Sequence, residues 1–246
     1  MSTYENSIII PRDFYLRDGN ELAPLLLGKL LVHNTPEGLT SGIIVEVEAY
    51  IGPDDKGSHA YGNRRTERTK IQYGVGGYAY IYSIYGMHSC FNIVANKEEK
   101  PEVVLIRALE PVDGIELMQQ RRRTKKREEL CNGPGKLCSA MGITKAQYGM
   151  DLCKSNMYLL PFRHIQKKDI LISPRINIDY ADECKDYYWR YFIMNNRHVS
   201  PVAKRYKVLQ RSFLTYEYAT ARHSHCCSPY SLKNDTLSGL EETTLQ

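Results

Sequence analysis

Between residues 42 and 59, in G-I-I-V-E-V-E-A-Y-I-G-P-D-D-K-G-S-H, two carboxylates, a phenol and an imidazole stand close enough in the chain to work together. Glu46, Glu48 and Tyr50 recur at every second residue, and an extended chain puts such residues on one face, with Ile44 before them and Ile43, Val45, Val47 and Ala49 opposite. His59 follows a break at Gly52-Pro53-Asp54-Asp55, so a loop beyond the strand end can bring it to that face. A carboxylate can take a proton from water, and rings can hold a planar ligand beside it. The same alternation also describes a polar strand face turned to solvent.

Other stretches supply residues that could complete such a site. Arg107 interrupts P-E-V-V-L-I-R-A-L-E-P, a strand apolar enough to be central. An arginine buried there needs a carboxylate on a neighbouring strand, and Glu46 and Glu48 are the candidates. In Y-A-Y-I-Y-S-I-Y-G-M-H-S-C-F-N-I-V, Tyr78, Tyr80 and Tyr82 share a face with Ile84, and His88, Cys90 and Asn92 share a face of the return strand. Tyrosine packs well across strands, which accounts for most of these rings. Tyr85 differs, because it sits at the turn opened by Gly86, where a ring beside basic loops can wedge between stacked bases.

The elements that must hold these residues are short. Asn20 is expected to cap a helix through E-L-A-P-L-L-L with Pro24 in its first turn, and G-K-L-L-V-H reads as a strand. Asp113 and Glu116 have the spacing of a capping box. In C-N-G-P-G-K-L-C-S-A-M-G, Pro134 suits a first helical turn and Gly142 a C-terminal cap, and the helix start with Lys136 could seat a phosphate. R-I-N-I-D at 175–179 and Y-Y-W-R-Y-F-I-M at 187–194 read as strands closing the same domain. Residues 1–205 therefore form one expected domain. Residues 206–246 form a C-terminal extension, polar and disordered towards its end. Its H-S-H-C-C offers His223, His225, Cys226 and Cys227 as zinc ligands, but structural zinc sites draw spaced pairs from two places and no second pair stands out, so no metal is expected.

Apolar residues make up 42% and charged residues 25% of the 246, the proportions of a globular protein. No apolar run is long enough to span a membrane and no secretory signal is visible, so an intracellular protein is expected, its seven cysteines reduced. The net charge of +5 is concentrated in two places. Arg64, Arg65, Arg68 and Lys70 crowd one loop, and R-R-R-T-K-K-R at 121–127 is a second basic run; both suit a nucleic acid, although the second also suits a solvated helix face.

Taken together, E-L-A-P-L-L-L-G-K-L-L-V, I-I-V-E-V-E-A-Y-I-G-P-D-D-K-G-S-H, Y-I-Y-S-I-Y-G-M-H-S-C-F-N, V-L-I-R-A-L-E-P and N-G-P-G-K-L-C with G-I-T make the chain resemble the alkyladenine, or 3-methyladenine, DNA glycosylases over roughly residues 10 to 200. The resemblance implies an α+β fold, a single compact domain around a curved, mainly antiparallel β-sheet with flanking helices. It implies a monofunctional hydrolase of base excision repair that flips alkylated or deaminated purines from double-stranded DNA, breaks the N-glycosidic bond and leaves an abasic site. By position, Glu48 would be the general base, with Arg107 and the main-chain carbonyl of Ile176 helping to hold its water. Tyr50, His59 and Tyr82 would surround the purine, Asn92 would exclude guanine, and Tyr85 would be the wedge. No cofactor is implied, and a monomer is expected, in the cytoplasm or nucleoid of a bacterium or the nucleus of a eukaryote. A DNA- or RNA-binding module without turnover is the rival reading, but it has no need of Glu48 and Arg107 in a pocket. The chain departs from the family pattern at His88, where another aromatic is frequent, at Glu67 and Gly76, where proline is usual, and at Asn177, where glycine is usual.

Overall fold

The structure, a computed structural model, describes Tyr4, residues 7–84, Gly86, residues 88–201 and residues 208–210. The hub is β2 (Gly38–Ile51), a strand of 14 residues that pairs on one edge with β5 (Glu102–Pro111) along nearly its whole length. Its other edge is shared. The first half pairs with β1 (Leu30–Thr35), which pairs onward with β6 (Met157–Leu160), and the second half pairs with β8 (Arg190–Ile193). Beyond β5 lie β4 (His88–Ala95) and β3 (Ala79–Ile84); beyond β8 lie β7 (Ile170–Ser173) and β9 (Leu209–Gln210). All these pairings are antiparallel, so the expected α+β domain on an antiparallel sheet is what forms.

The register of β2 against β5 shifts around Glu46, where a β-bulge interrupts the ladder. A bulge breaks the period-two rule and re-aims the residues on either side. Ile44 therefore packs in the same core cluster as Val47 and Ala49, while Ile43 and Val45 belong to another. This corrects the simple alternation, which put Ile44 with Glu46 and Glu48. The carboxylates share one sheet face, and because of the slip Ile44 joins the main core on the other. That core gathers Val47, Ala49, Ile93, Val104 and Ile106 from the strands with Leu22 and Leu26 of α1 (Gly19–Leu26) and Leu137 and Met141 of α3 (Pro134–Met141).

Helix ends follow local chemistry. The cap of α1 is Asp18 and not Asn20: Asp18 Oδ1 accepts the amides of Asn20 and Glu21 at 3.1 and 3.2 Å, and Glu102 Oε2 accepts that of Gly19 at 2.7 Å. Starting two residues earlier than expected, the helix carries Pro24 in its interior and not in its first turn. The capping box at α2 (Ile115–Arg122) does not form either, because Asp113 is taken by Ser41 Oγ at 2.6 Å and by the Tyr4 hydroxyl, and a left-handed Gly114 precedes the helix. For α3 the expected signals hold: Pro134 opens it and Gly142, at φ 67°, ends it. There a Cβ would also stand 2.9 Å from the Arg121 guanidinium, which would have to shift, but it is the left-handed conformation that favours glycine.

Two of the expected strands come out differently. Residues 187–194 contain β8, but residues 175–179 form no strand, since Arg175 is drawn into a buried ion pair and Asn177 turns through φ 59°. Asparagine tolerates that left-handed region better than most residues, which is how it can stand where the family pattern has glycine. Replacing Asp18 by alanine should lower stability by about 1 kcal/mol, read by urea unfolding, with no change in any activity of the opposite sheet face.

Candidate active site

The antiparallel registers line up one row of residues across six strands. Ser173 of β7 pairs with Arg190 of β8, Arg190 with Glu48 of β2, Glu48 with Leu105 of β5, Leu105 with Asn92 of β4, and Asn92 with Tyr80 of β3. Direct cross-strand partners lie on the same face. The neighbouring row adds Tyr50, Val103, Val94 and, beside β3, Tyr78; these rings and valines pack together as a cluster that also holds Tyr82. One end of this face is thus carboxylate and arginine, and the other is aromatic.

Glu48 has no exposed surface and both its oxygens are engaged. Oε1 accepts the main-chain N–H of Ile176 at 2.8 Å and lies 3.3 Å from Arg107 Nη1, and Oε2 accepts the Tyr50 hydroxyl at 2.8 Å. At Ile176 the bond to Glu48 comes from the amide, where the family resemblance pointed to the carbonyl as a holder of water. Burial first, then the Glu48 charge, hold the Tyr50 phenol well above its ordinary value, so it stays a donor. Arg107 bridges the two carboxylates as expected, its Nε donating to Glu46 Oε1 at 2.9 Å. Burial works against its charge, but Glu48 and Glu46 outweigh that and hold the guanidinium above its usual range.

Glu46 is a different kind of residue. It accepts from Arg107 Nε, from Arg190 Nε at 2.7 Å, and from the Ser200 amide and hydroxyl at 2.7 and 2.8 Å. Burial alone would raise its carboxyl, but the two arginines and Ser200 reverse this and hold it below the ordinary range. Arg190 was missed by the sequence reading. The argument applied to Arg107, an arginine inside an apolar strand, applies equally to it in Y-Y-W-R-Y-F-I-M.

His59 reaches the aromatic end from the loop, as expected. Its Nδ1 lies 2.8 Å from the Tyr80 hydroxyl and its ring meets that of Tyr82 edge-on at 4.6 Å between centroids. Arg68 donates to His59 Nε2 at 3.0 Å and covers the Tyr82 ring at 5.0 Å. A guanidinium can only donate, so Nε2 carries the lone pair and Nδ1 the proton. Burial first, then Arg68 and Arg64, pull His59 down to about 4. Asn92, buried behind these rings, donates its amide to the carbonyls of Tyr80 and Cys90 at 3.1 and 3.4 Å, which fixes its orientation. Tyr85 lies outside the described residues, as do His223, His225, Cys226 and Cys227. Among the described residues no group of His, Cys, Asp and Glu is placed to hold a metal ion, and no helix is long and apolar enough to cross a membrane.

Much of the basic run at 121–127 serves the fold. Arg121 Nη1 donates to the Ala140 carbonyl at the end of α3 at 3.0 Å and Nη2 to Glu37 at 2.7 Å, Arg122 donates to Leu130, and Arg127 to Pro111. In the first basic loop, Glu67 pairs with Lys70 at 2.6 Å, so the residue that replaces a usual proline also offsets a cation.

Because the folded pKa of His59 lies below its ordinary 6.5, the unfolded chain takes up a proton that the folded chain refuses. Stability should therefore fall as pH drops from about 6.5 towards about 4 and then level off. His59→Gln should flatten that fall, as measured by urea unfolding across the interval; an unchanged slope would remove the imidazole from the account.

The model of the methylpurine-DNA glycosylase family matches residues 13–197. A 3-methyladenine DNA glycosylase of Clostridium novyi (strain NT) is 50% identical over 197 residues, covering 77% of this chain and 96% of that protein. One of Clostridium acetobutylicum is 49% identical over 201 residues, covering 78% and 98%, and one of Bacillus cereus (strain ATCC 10987 / NRS 248) is 48% identical over 200 residues, covering 77% and 98%. With a match over three quarters of its length, and the carboxylates, arginines and rings of the matched region gathered on one face of the sheet, the chain belongs to the methylpurine-DNA glycosylase family.

Proposed function

We propose that this protein is a monofunctional DNA glycosylase of base excision repair, acting as a monomer inside the cell, which flips methylated or deaminated purines out of duplex DNA and hydrolyses their N-glycosidic bond. The observation that carries the reading is a wholly buried carboxylate, Glu48, held by three donors at the edge of an aromatic floor, in a chain of this family. A base stacked in a duplex cannot reach such a group, so the nucleotide must leave the stack.

The geometry suggests how the chemistry runs. An ionised carboxylate offers about four acceptor positions; the Ile176 amide takes one on Oε1, where Arg107 Nη1 also lies 3.3 Å away, and the Tyr50 hydroxyl takes one on Oε2. Oε2 has a second acceptor position without a protein donor. A water bound there loses its proton to Glu48 as it attacks the anomeric carbon, and the negative charge steadies the oxocarbenium-like sugar as the purine departs. The carbonyl of Ile176 and Arg107 hold that water. Tyr50 covers one side of the purine and His59 with Tyr82 the other. Asn92, locked by the Tyr80 and Cys90 carbonyls, crowds the exocyclic amine of guanine. Tyr85 fills the vacated stack.

Glu48→Gln should lower single-turnover release of purine from methylpurine duplexes by roughly 10²–10⁴-fold while lesion-duplex binding persists, because glutamine keeps the shape but accepts no proton. Release at the wild-type rate by the folded variant would show that Glu48 is not the base. Glu46→Gln is no silent control, since it loosens two arginines and Ser200, and melting must accompany its kinetics. Tyr85→Ser should weaken lesion binding and release together and leave the salt dependence of binding unchanged, because the ring carries no charge. An unaltered rate on fully paired lesion duplexes would remove Tyr85 from the flipping step.

A further inference from the structure

A second buried ion pair, Arg175 with Asp55, adjoins the site and takes no part in the steps above. Neither side chain has exposed surface, and the fork is bidentate: Nη1 donates to Asp55 Oδ2 at 2.5 Å and Nη2 to Oδ1 at 2.8 Å. The same two nitrogens donate to the carbonyls of Ala49 and Cys184 at 3.0 and 3.1 Å. The guanidinium also stacks near two rings, 4.6 Å from the centroid of Tyr50 and 4.9 Å from that of Trp189. Asp55 in turn accepts the amides of Ile51 at 3.1 Å and Gly57 at 2.8 Å, which shapes the turn leading to His59. A Cβ on Gly57 would stand 3.1 Å from both Arg175 Nη2 and Asp55 Oδ1, so the pair closes tightly over that residue.

The two shortest donors to Glu48 both trace back to Arg175. Ile176, whose N–H meets Oε1, is its neighbour in the chain, and Tyr50, whose hydroxyl meets Oε2, lies under its guanidinium. We propose that Arg175, neutralised by Asp55, is the positioning residue of the catalytic carboxylate: its backbone and side chain set the two donors that fix the plane of Glu48 and leave one acceptor position on Oε2 without a protein donor. The proposal rests on Glu48 being the general base. Asp55 is the principal counter-charge of this cation, ahead of Glu48. Lysine cannot replace Arg175, because an ammonium has no planar fork to make four bonds and no flat face to stack on Tyr50.

The test is single-turnover purine release at saturating protein from a methylpurine-containing duplex by Arg175→Lys and Asp55→Asn, with thermal melting and duplex binding measured on the same samples. Arg175→Lys keeps the charge opposite Asp55 and so gives a readable variant where Asp55→Asn fails to fold. After correction for folded fraction, release by Arg175→Lys should fall on the order of 10–100-fold, with the dissociation constant for the lesion duplex changed by no more than about threefold. In a Glu48→Gln background the same substitution should change the residual rate by less than about threefold, because the group it positions is gone. A loss explained by the folded fraction alone, or a full 10–100-fold loss that persists without Glu48, overturns the positioning role. Wild-type release by folded Glu48→Gln instead overturns the assignment of Glu48 as the base on which the proposal rests, whereas no release by the wild-type protein overturns the glycosylase reading, and the failures are told apart.

Discussion

Two carboxylates two residues apart on the central strand, both shut away from water, are the constraint that the rest of this fold answers. Removing an ionised carboxylate from water costs several kcal/mol even after the protein relaxes, and leaving one unpaired costs more. The cations come from both flanks of β2, Arg107 from β5 and Arg190 from β8. The strand that carries Glu46 and Glu48 must therefore lie inside the sheet. Ser200 adds its amide and hydroxyl from beyond β8, tying the end of the described domain back to its centre.

The two carboxylates are neutralised to different degrees, and that difference separates structure from chemistry. Glu46 receives four hydrogen bonds, three on Oε1 and one on Oε2, and is pulled below its ordinary range. Glu48 receives two, plus the longer contact to Arg107, and Oε2 has an acceptor position without a protein donor. By holding Nε of Arg107, Glu46 also leaves Nη1 for Glu48. The β-bulge at Glu46 belongs to the same arrangement, since it lets Ile44 stay in the main core while Glu46 and Glu48 face the arginines.

What was legible in the sequence was what short-range rules control. Period-two placement put Glu48 and Tyr50 together, the unpaired-charge argument joined Arg107 to Glu46 and Glu48, and Pro134 and Gly142 bounded α3. The cap of α1 was misplaced by two residues, between Asp18 and Asn20, and two other readings failed where a distant residue competed for the same group. Asp113 was taken by Ser41 and Tyr4 before it could cap α2, and Arg175 was drawn from an extended path by Asp55, 120 positions away in the chain. An aspartate in a G-P-D-D turn is ordinary, so nothing local marked Asp55 as the partner of a buried arginine. The bulge left no mark either, because Ile44 is apolar and suits both faces.

The charge pattern shows how a basic sequence divides its labour. Arg121, Arg122 and Arg127 are held by carbonyls of their own chain, so they add to the field that draws in a polyanion without being loose enough to grip a phosphate. Arg68 acts at closer range. Its donation to Nε2 and its charge help keep His59 neutral, while burial keeps Tyr50 and Tyr82 protonated. The rings of the proposed pocket are therefore uncharged, and one face each of Tyr82 and Tyr50 is covered by Arg68 and Arg175. Methylation at a purine ring nitrogen makes the nucleobase positive, so under the proposed function the ring faces left clear of Arg68 and Arg175 would attract the damaged ring more than the intact one, and a protonated His59 would oppose that preference. Through its hydrogen bond to Nε2, Arg68 thus helps hold the imidazole beside these rings in its neutral form.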